Sequence, residues 1–165
     1  MKEMRPTTGK VMLALFNILG NIRGRSFLDL FSGSGQIALT AAKKGAAPVV
    51  CVESERARHA AIVKKAPADV KCLCADVRRA VARMAKKGEC FDIIFADPPY
   101  NLGWGEELPR LLAGNENISA PGGVIIFEHS EEEEPAAMDE TKWKREDRKY
   151  GGTVLSFYSR RNEND

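Results

Sequence analysis

Asp97-Pro98-Pro99-Tyr100 closes an apolar run, FDIIFADPPY, that begins at Phe91. Phe91 to Ala96 reads as an interior β-strand. The proline pair ends it, because each proline lacks a backbone N–H and fixes φ. Three useful groups are left at the strand's C-terminal end: the Asp97 carboxylate, the Pro98 carbonyl and the Tyr100 ring. Two neighbouring acceptors on a proline-stiffened backbone suit an exocyclic amine on a flat heterocycle. One amine proton goes to each acceptor, and the nitrogen lone pair is left facing an electrophile. Tyr100 offers a face on which an extruded base can stack. The alternative is a structural turn with Asp97 as a local cap.

A second constellation lies in DLFSGSGQIA, residues 29–38. Gly33, Gly35 and Ala38 fit the spacing G-x-G-x-x-G/A. The glycines let the backbone turn tightly and approach a ligand, and the helix that follows aims free N–H groups at the same place. Such a loop suits a dinucleotide pyrophosphate or the amino-acid moiety of S-adenosylmethionine; a plain turn between strand and helix is the alternative. Glu53 follows the second strand, at a distance from Gly33 that lets its carboxylate accept from both hydroxyls of a ribose. Asp76 follows the third strand. It can meet an adenine amino group, cap the helix beginning near Val77, or do both. These three features fit NAD and S-adenosylmethionine equally. Asp97 to Tyr100 separates the two, since a dehydrogenase has no use for that set.

The elements that must carry these residues are legible in the periodicity. Val11, Ala14, Leu15, Ile18 and Leu19 follow helical spacing, with Thr7 or Thr8 as cap and a stop near Gly20. Strands are predicted at 26–31, 48–53, 70–76, 91–96 and 122–130. Helices are predicted in QIALTAAKKG, SERARHAAIVKKA, VRRAVARMAKKG and EELPRLLAGNEN, the last kinked at Pro109. Residues 143–160 read as two strands around a turn at Tyr150-Gly151-Gly152. Strands that are continuous apolar runs, alternating with helices, indicate an α/β domain with a mostly parallel sheet covered on both faces. Residues 1–160 are read as one domain and 161–165 as a disordered tail.

Composition sets outer bounds. The 165 residues are 44% hydrophobic and 29% charged, ordinary for a single globular domain. No run is apolar enough to span a bilayer and MKEMRPTTGK lacks the features of a signal peptide, which favours the cytoplasm. Cys51, Cys72, Cys74 and Cys90 read as buried reduced thiols, and His59 and His129 stand alone, so no metal site is expected. Net charge is only +2, but basic residues gather in the first 25 positions (Lys2, Arg5, Lys10, Arg23, Arg25) and again between Lys142 and Arg161. These two clusters are candidates for phosphate contact, the acidic run Glu131–Glu134 being expected on another face.

DLFSGSG, Glu53, the Ala75-Asp76 pair and DPPY together resemble a class I S-adenosylmethionine-dependent methyltransferase. More narrowly, RPTTGKVMLALFNIL, FLDLFSGSGQIALTAAKKGA, FDIIFADPPY and RKYGGTVLSFY resemble the RsmD family over nearly the whole chain. That family methylates the 2-amino group of one guanine in small-subunit ribosomal RNA.

The resemblance implies a Rossmann-like, seven-stranded sheet with an antiparallel C-terminal hairpin, and S-adenosylmethionine as cofactor, with S-adenosylhomocysteine as product. It implies cofactor contacts from Asp29, Phe31, Gly33, Ser34, Gly35, Glu53, Ser54, Asp76, Val77 and Asp97, and catalysis by Asp97, Pro98, Pro99 and Tyr100. The expected partner is ribosomal RNA or the small ribosomal subunit, met by a monomer. Arg5, Thr7, Lys10, Arg148 and Tyr150 are candidates for the cofactor rim or RNA phosphates, with surface capping and packing as the alternative. Members of the family carry a β-hairpin ahead of the Arg-Pro-Thr segment that is not found ahead of it here. A difference in RNA affinity or substrate form is the expectation. Other acceptors remain open, namely DNA adenine and protein glutamine, as do a NAD-dependent oxidoreductase and a non-catalytic RNA-binding assembly protein.

Overall fold

The computed structural model describes residues 9–162. In chain order these form α1 (Gly9–Leu19), β1 (Phe27–Asp29), α2 (Gln36–Lys43), β2 (Val49–Glu53), α3 (Arg56–Lys65), β3 (Val70–Cys74), α4 (Val77–Lys87), β4 (Phe91–Ala96), α5 (Trp104–Ala113), a 3₁₀ turn (Glu116–Ile118), β5 (Ser119–Ser130), β6 (Trp143–Tyr150) and β7 (Thr153–Arg160). The expected caps Thr7 and Thr8 lie outside the described residues, as do Arg5 and residues 163–165.

The seven strands make one sheet in the order β3-β2-β1-β4-β5-β7-β6. β1 to β5 pair in parallel, while β7 runs antiparallel to both β5 and β6. The expected α/β architecture with an antiparallel terminal pair is therefore present. β1 lies inside the sheet, between β2 and β4, and the chain leaves it in both directions, first to β2 and later to β4. This is the topological switch point at which open α/β sheets bind ligands.

Each face of the sheet has its own core. On one face α1, α2 and α3 bring Val11, Leu15, Phe16, Ile37, Ala41 and Ile62 onto Phe27, Ile93, Phe95 and Leu155. On the other, α4 and α5 bring Val81, Met84, Trp104, Leu108 and Leu112 onto Leu28, Ile94, Ile125 and Phe127. Among the described residues, no helix is long and apolar enough to cross a membrane.

The helix ends have local causes. Gly88, at φ 75°, terminates α4 in the left-handed conformation that favours glycine. Ala66 is extended, as the residue before Pro67 must be. Pro109 sits inside α5 and has no N–H for the Gly105 carbonyl; that carbonyl instead accepts from Ala136 N–H at 2.8 Å. The helix thus continues past its proline and ties down the segment before β6.

Several sequence expectations shift. β1 shortens to Phe27–Asp29, and α5 begins at Trp104, two residues ahead of the predicted helix. β5 begins at Ser119 rather than 122, because Ser119 already pairs with Phe91 before an irregularity in register that ends at the Ile93–Val124 pair. Ile18, predicted on the apolar face of α1, is 41% exposed. Cys51 is buried, but Cys74 is exposed and Cys72 intermediate, since β3 is an edge strand, and Cys90 is exposed in the loop before β4. The acidic run does not occupy a separate face: Glu134 pairs with Arg145 at 2.5 Å and Glu131 with Lys149 at 4.0 Å.

Candidate active site

The C-terminal ends of β1, β2, β3 and β4 converge, and each carries one of the carboxylates singled out from the sequence. Asp29 ends β1 at 1% exposure. Both of its carboxylate oxygens are shielded from solvent and lack a partner at hydrogen-bonding geometry. Burial pushes this carboxyl up to about 7, and the nearby Asp97 charge adds to the effect. The Ser32 hydroxyl and the N–H groups of Phe31 and Ala38 act against it without cancelling it. A carboxylate held this way is poised to receive a cation.

The glycine loop is folded around the second carboxylate. Gly33 has φ 56° and Gly35 φ 82°, conformations that favour glycine. A Cβ on Gly35 would also stand 3.0 Å from Cγ1 of Ile62, so the loop lies directly on α3. Gly33 N–H donates to Glu53 Oε1 at 2.9 Å and Glu55 N–H to Oε2 at 2.7 Å. Glu53 is nearly buried, yet each oxygen keeps a further lone pair for a ligand hydroxyl. Ser34 and Ser54 lie exposed beside these groups.

Asp76 caps α4, its Oδ1 accepting from Arg78 N–H at 2.9 Å, while Val77 is buried below it. The side chain also pairs with Arg78. Arg78 is the hinge of a rim that the sequence did not reveal. Its guanidinium forks onto Glu107 of α5 and lies 4.3 Å from the centre of the Trp104 ring. Trp104 in turn meets Phe31 edge-on at 4.9 Å. Phe31, Trp104 and Arg78 thereby link the glycine loop to both helices of the opposite face. The available signal was the position of Trp104, four residues after Tyr100 at the mouth of a helix.

At the end of β4, Asp97 and Tyr100 are half-buried, Pro98 is buried and Pro99 is exposed. The chain then turns through Asn101, whose φ of 61° is uncommon outside glycine, and enters α5 at Gly103. Asp29 pairs in register with Phe95, so Asp97 follows two residues beyond it, next to the glycine loop. Among the described residues, no three or more His, Cys, Asp or Glu side chains are grouped to hold a metal ion. The histidines are not isolated. His59 Nε2 donates to the Cys72 carbonyl at 3.0 Å, and buried His129 lies 2.8 Å from the Ser156 hydroxyl.

The more remote candidates are dispersed. Lys10 is exposed on α1, Arg148 is exposed on β6, and Tyr150 packs half-buried against the α1 side of the core. Most of the C-terminal cations are engaged locally. Lys142 pairs with Glu116, Lys144 with Glu146, and Arg145 with Glu134 and Asp147. Arg160 donates to the carbonyls of Glu116 and Ser119. Arg161, read as tail, donates its Nε to the Glu140 carbonyl.

A family model described as "Conserved hypothetical protein 95", which corresponds to the RsmD family, matches residues 1–159. The chain belongs to the RsmD family. Its curated relatives include the ribosomal RNA small subunit methyltransferase D of Escherichia coli K12, 33% identical over 154 residues, spanning 92% of this chain and 76% of the relative. The same enzyme of Haemophilus influenzae is 28% identical over 83% of this chain and 73% of its own length. Among solved structures, the yhhF protein of Escherichia coli superposes with a TM-score of 0.84 at 27% identity, covering 95% of this chain and 88% of that one. An RNA methyltransferase of Salinibacter ruber, solved with S-adenosyl-L-homocysteine, shares the fold at TM-score 0.68 and 17% identity, covering 96% and 95% of the two chains. The RsmD-family domain thus has the class I methyltransferase fold expected from its motifs.

Proposed function

We propose that this chain is a ribosomal RNA methyltransferase that uses S-adenosylmethionine and acts on the exocyclic 2-amino group of a guanine in small-subunit ribosomal RNA. The observation that carries the reading is the adjacency of two carboxylates at the switch point. Asp29 is buried, its oxygens near the Ser32 hydroxyl and the N–H groups of Phe31 and Ala38 but not in full hydrogen-bonding geometry with any of them, and the Asp97 charge in DPPY acts on it. Membership of a family whose relatives are named as methyltransferases of small-subunit ribosomal RNA supports the same reading.

The residues present fit the cofactor. Asp29 offers a buried counter-charge to its ammonium group, the backbone at Phe31, Gly33, Ser34 and Gly35 leaves room for its methionine end, Glu53 and Ser54 suit its ribose, and Asp76 and Val77 suit its adenine. When bound, S-adenosylmethionine supplies a methyl carbon already activated by a sulfonium. The protein's task is then positioning. Asp97 and the Pro98 carbonyl accept hydrogen bonds from the two amine N–H groups, which aligns the nitrogen lone pair; the proton shed after transfer can pass to Asp97 or to water. Asp97 also stabilises the positive charge that grows on the nitrogen. Pro98 and Pro99 hold these acceptors still, and Tyr100 stacks on the base. A ribosomal substrate places the protein in the cytoplasm, where we read it as acting as a monomer.

The test is methyl transfer from radiolabelled S-adenosylmethionine to undermethylated small ribosomal subunits, protein-free ribosomal RNA and DNA, offered in parallel. Label is expected in ribosomal RNA, recovered as N2-methylguanine after nuclease digestion and lost with Asp97→Ala. Label in DNA, or in none of the pools while the cofactor still binds, would sink the assignment.

A further inference from the structure

We propose that a cationic groove between α4 and the open edge of β3 is a docking track for the phosphate backbone of the RNA substrate. The inference rests on the RNA methyltransferase reading and adds a surface that the motifs do not contain. β3 ends the sheet, so among the described residues its outer edge has no neighbouring strand. Between it and α4 lies a cleft of about 480 Å³ lined by Lys71, Leu73, Arg79, Arg83, Met84 and Lys87, among others. Its floor is apolar and its walls are basic.

Arg79, Arg83 and Lys87 recur every fourth residue on α4 and so lie on one face, about 6 Å apart along the axis. That interval is comparable with the spacing of successive phosphates along one nucleic-acid strand. Lys71 faces them from the β3 side. All four are exposed. The lining thus sets four cations against two carboxylates, Asp76 and Glu89. Asp76 is already committed to Arg78.

The contrast with the basic C-terminal segment supports the choice, and the alignment of the α4 cations along one cleft separates them from the scattered cations elsewhere. Lys142, Lys144, Arg145 and Lys149 are each neutralised by a carboxylate within 4 Å. Among the described residues, Lys71, Arg79, Arg83 and Lys87 make no ion pair. A row of unpaired cations on one helix face is what counterion release from a polyanion requires. An apolar floor under it suits the sugar and base edges better than it suits bulk water. The groove starts at Asp76, on the rim of the cofactor site. The end of β4 lies three strands away, about 14 Å at ordinary strand spacing, within reach of a few nucleotides.

The test is the salt dependence of binding to protein-free, transcribed small-subunit ribosomal RNA. Wild type is compared with Arg79→Gln/Arg83→Gln/Lys87→Gln and with a matched control, Lys43→Gln/Lys64→Gln/Lys65→Gln, which removes the same charge from α2 and α3. Thermal melting and S-adenosylhomocysteine binding check that each variant is folded. At about 0.7 per phosphate, the groove variant is expected to flatten the slope of log K against log salt by about 2. It should weaken binding at low salt at least tenfold, while the control keeps the wild-type slope. If the triple variant does not fold, Arg83→Gln alone should lower the slope by about 0.7. Equal slopes for the groove and control variants overturn the groove and leave the proposed activity standing. A wild type that binds S-adenosylhomocysteine but no RNA at any salt overturns both. Loss of binding to small subunits alone, with naked RNA unaffected, overturns the RNA assignment in favour of an acidic protein partner.

Discussion

Gly33 donates its backbone N–H to the carboxylate of Glu53 at 2.9 Å, across twenty residues of sequence. With the second bond from Glu55 N–H, Glu53 fixes the glycine loop relative to the start of α3. The residue proposed to hold the ribose therefore also shapes the loop proposed to hold the methionine end.

Replacing this carboxylate should separate the two roles. Glu53→Ala leaves two half-buried N–H groups without acceptors and is expected to cost about 1–3 kcal/mol for each that water cannot reach. Glu53→Gln keeps an acceptor for only one of them. We expect Glu53→Gln to stay folded but to lose at least tenfold in S-adenosylhomocysteine affinity, and Glu53→Ala to lose both affinity and melting temperature. Calorimetric binding and thermal melting together check this. Unchanged affinity in the folded Glu53→Gln variant would remove Glu53 from the cofactor site.

Asp29 predicts a pH dependence of definite sign. Its carboxyl is raised from an ordinary 3.8 to about 7 by burial, with Asp97 contributing. The folded state therefore favours the protonated acid. Whatever stability this confers is fully present below about pH 4 and is lost as pH rises through 7, by up to about 4 kcal/mol for a three-unit shift. Asp29→Asn should remove this slope, so the variant gains on wild type in apoprotein melting as pH rises from 4 to 8. Binding of a cationic ligand reverses the preference. Below pH 7, S-adenosylmethionine uptake should release up to one proton, and affinity should climb towards pH 7. Calorimetry in two buffers of different ionisation enthalpy measures that proton. Asp97→Asn should move the profile to lower pH, since it removes the charge next to Asp29.

Gly35 combines a left-handed φ of 82° with a van der Waals wall formed by Ile62. Gly35→Ala is expected to destabilise by about 1–2 kcal/mol from the backbone alone, with a further contribution from the contact. The two parts can be separated. Ile62→Ala removes the wall and should relieve the second part only, so the double variant should be less destabilised than the sum of the singles. Denaturant titrations of all four proteins give the coupling directly. Strict additivity would mean that the loop moves off Ile62 at no cost.

The parallel strands, the glycine loop and DPPY were legible because each has a local signature: apolar runs, φ-permissive residues and a strand-ending proline pair. Glu53 was legible from spacing, but its bonds to Gly33 and Glu55 were not, since they depend on how the loop closes in space. The Arg78–Trp104–Phe31 rim was invisible for the same reason. Its members come from three elements, and no periodicity relates Arg78 on α4 to Trp104 on α5. Charge clustering along the sequence misled in a specific way. The basic C-terminal segment forms β6 and the end of β7, where most of its cations meet carboxylates of the same hairpin and its neighbours. The row on α4 emerges only when the helix sets Arg79, Arg83 and Lys87 on one face and turns Arg78 towards Asp76 and Glu107.

The cysteines give the last prediction, one that joins fold to site. Cys51 is buried, and its hydrogen bond to Cys72, together with burial, pushes its thiol well above the usual range. The same bond lowers Cys72, but that thiol is only partly accessible at the sheet's edge. Cys74 and Cys90 are exposed. Maleimide labelling followed by intact mass and peptide mapping should find Cys74 and Cys90 modified first, Cys72 later, and Cys51 only when the protein unfolds. Cys74 Sγ lies 3.9 Å from the Ser54 carbonyl, on the proposed ribose side of the site, whereas Cys90 sits at the opposite end of the sheet, just before β4. Saturating S-adenosylhomocysteine should therefore slow Cys74 selectively and leave Cys90 unchanged. Equal protection of both would point to a global change on binding, and protection of neither would move the ligand away from Ser54.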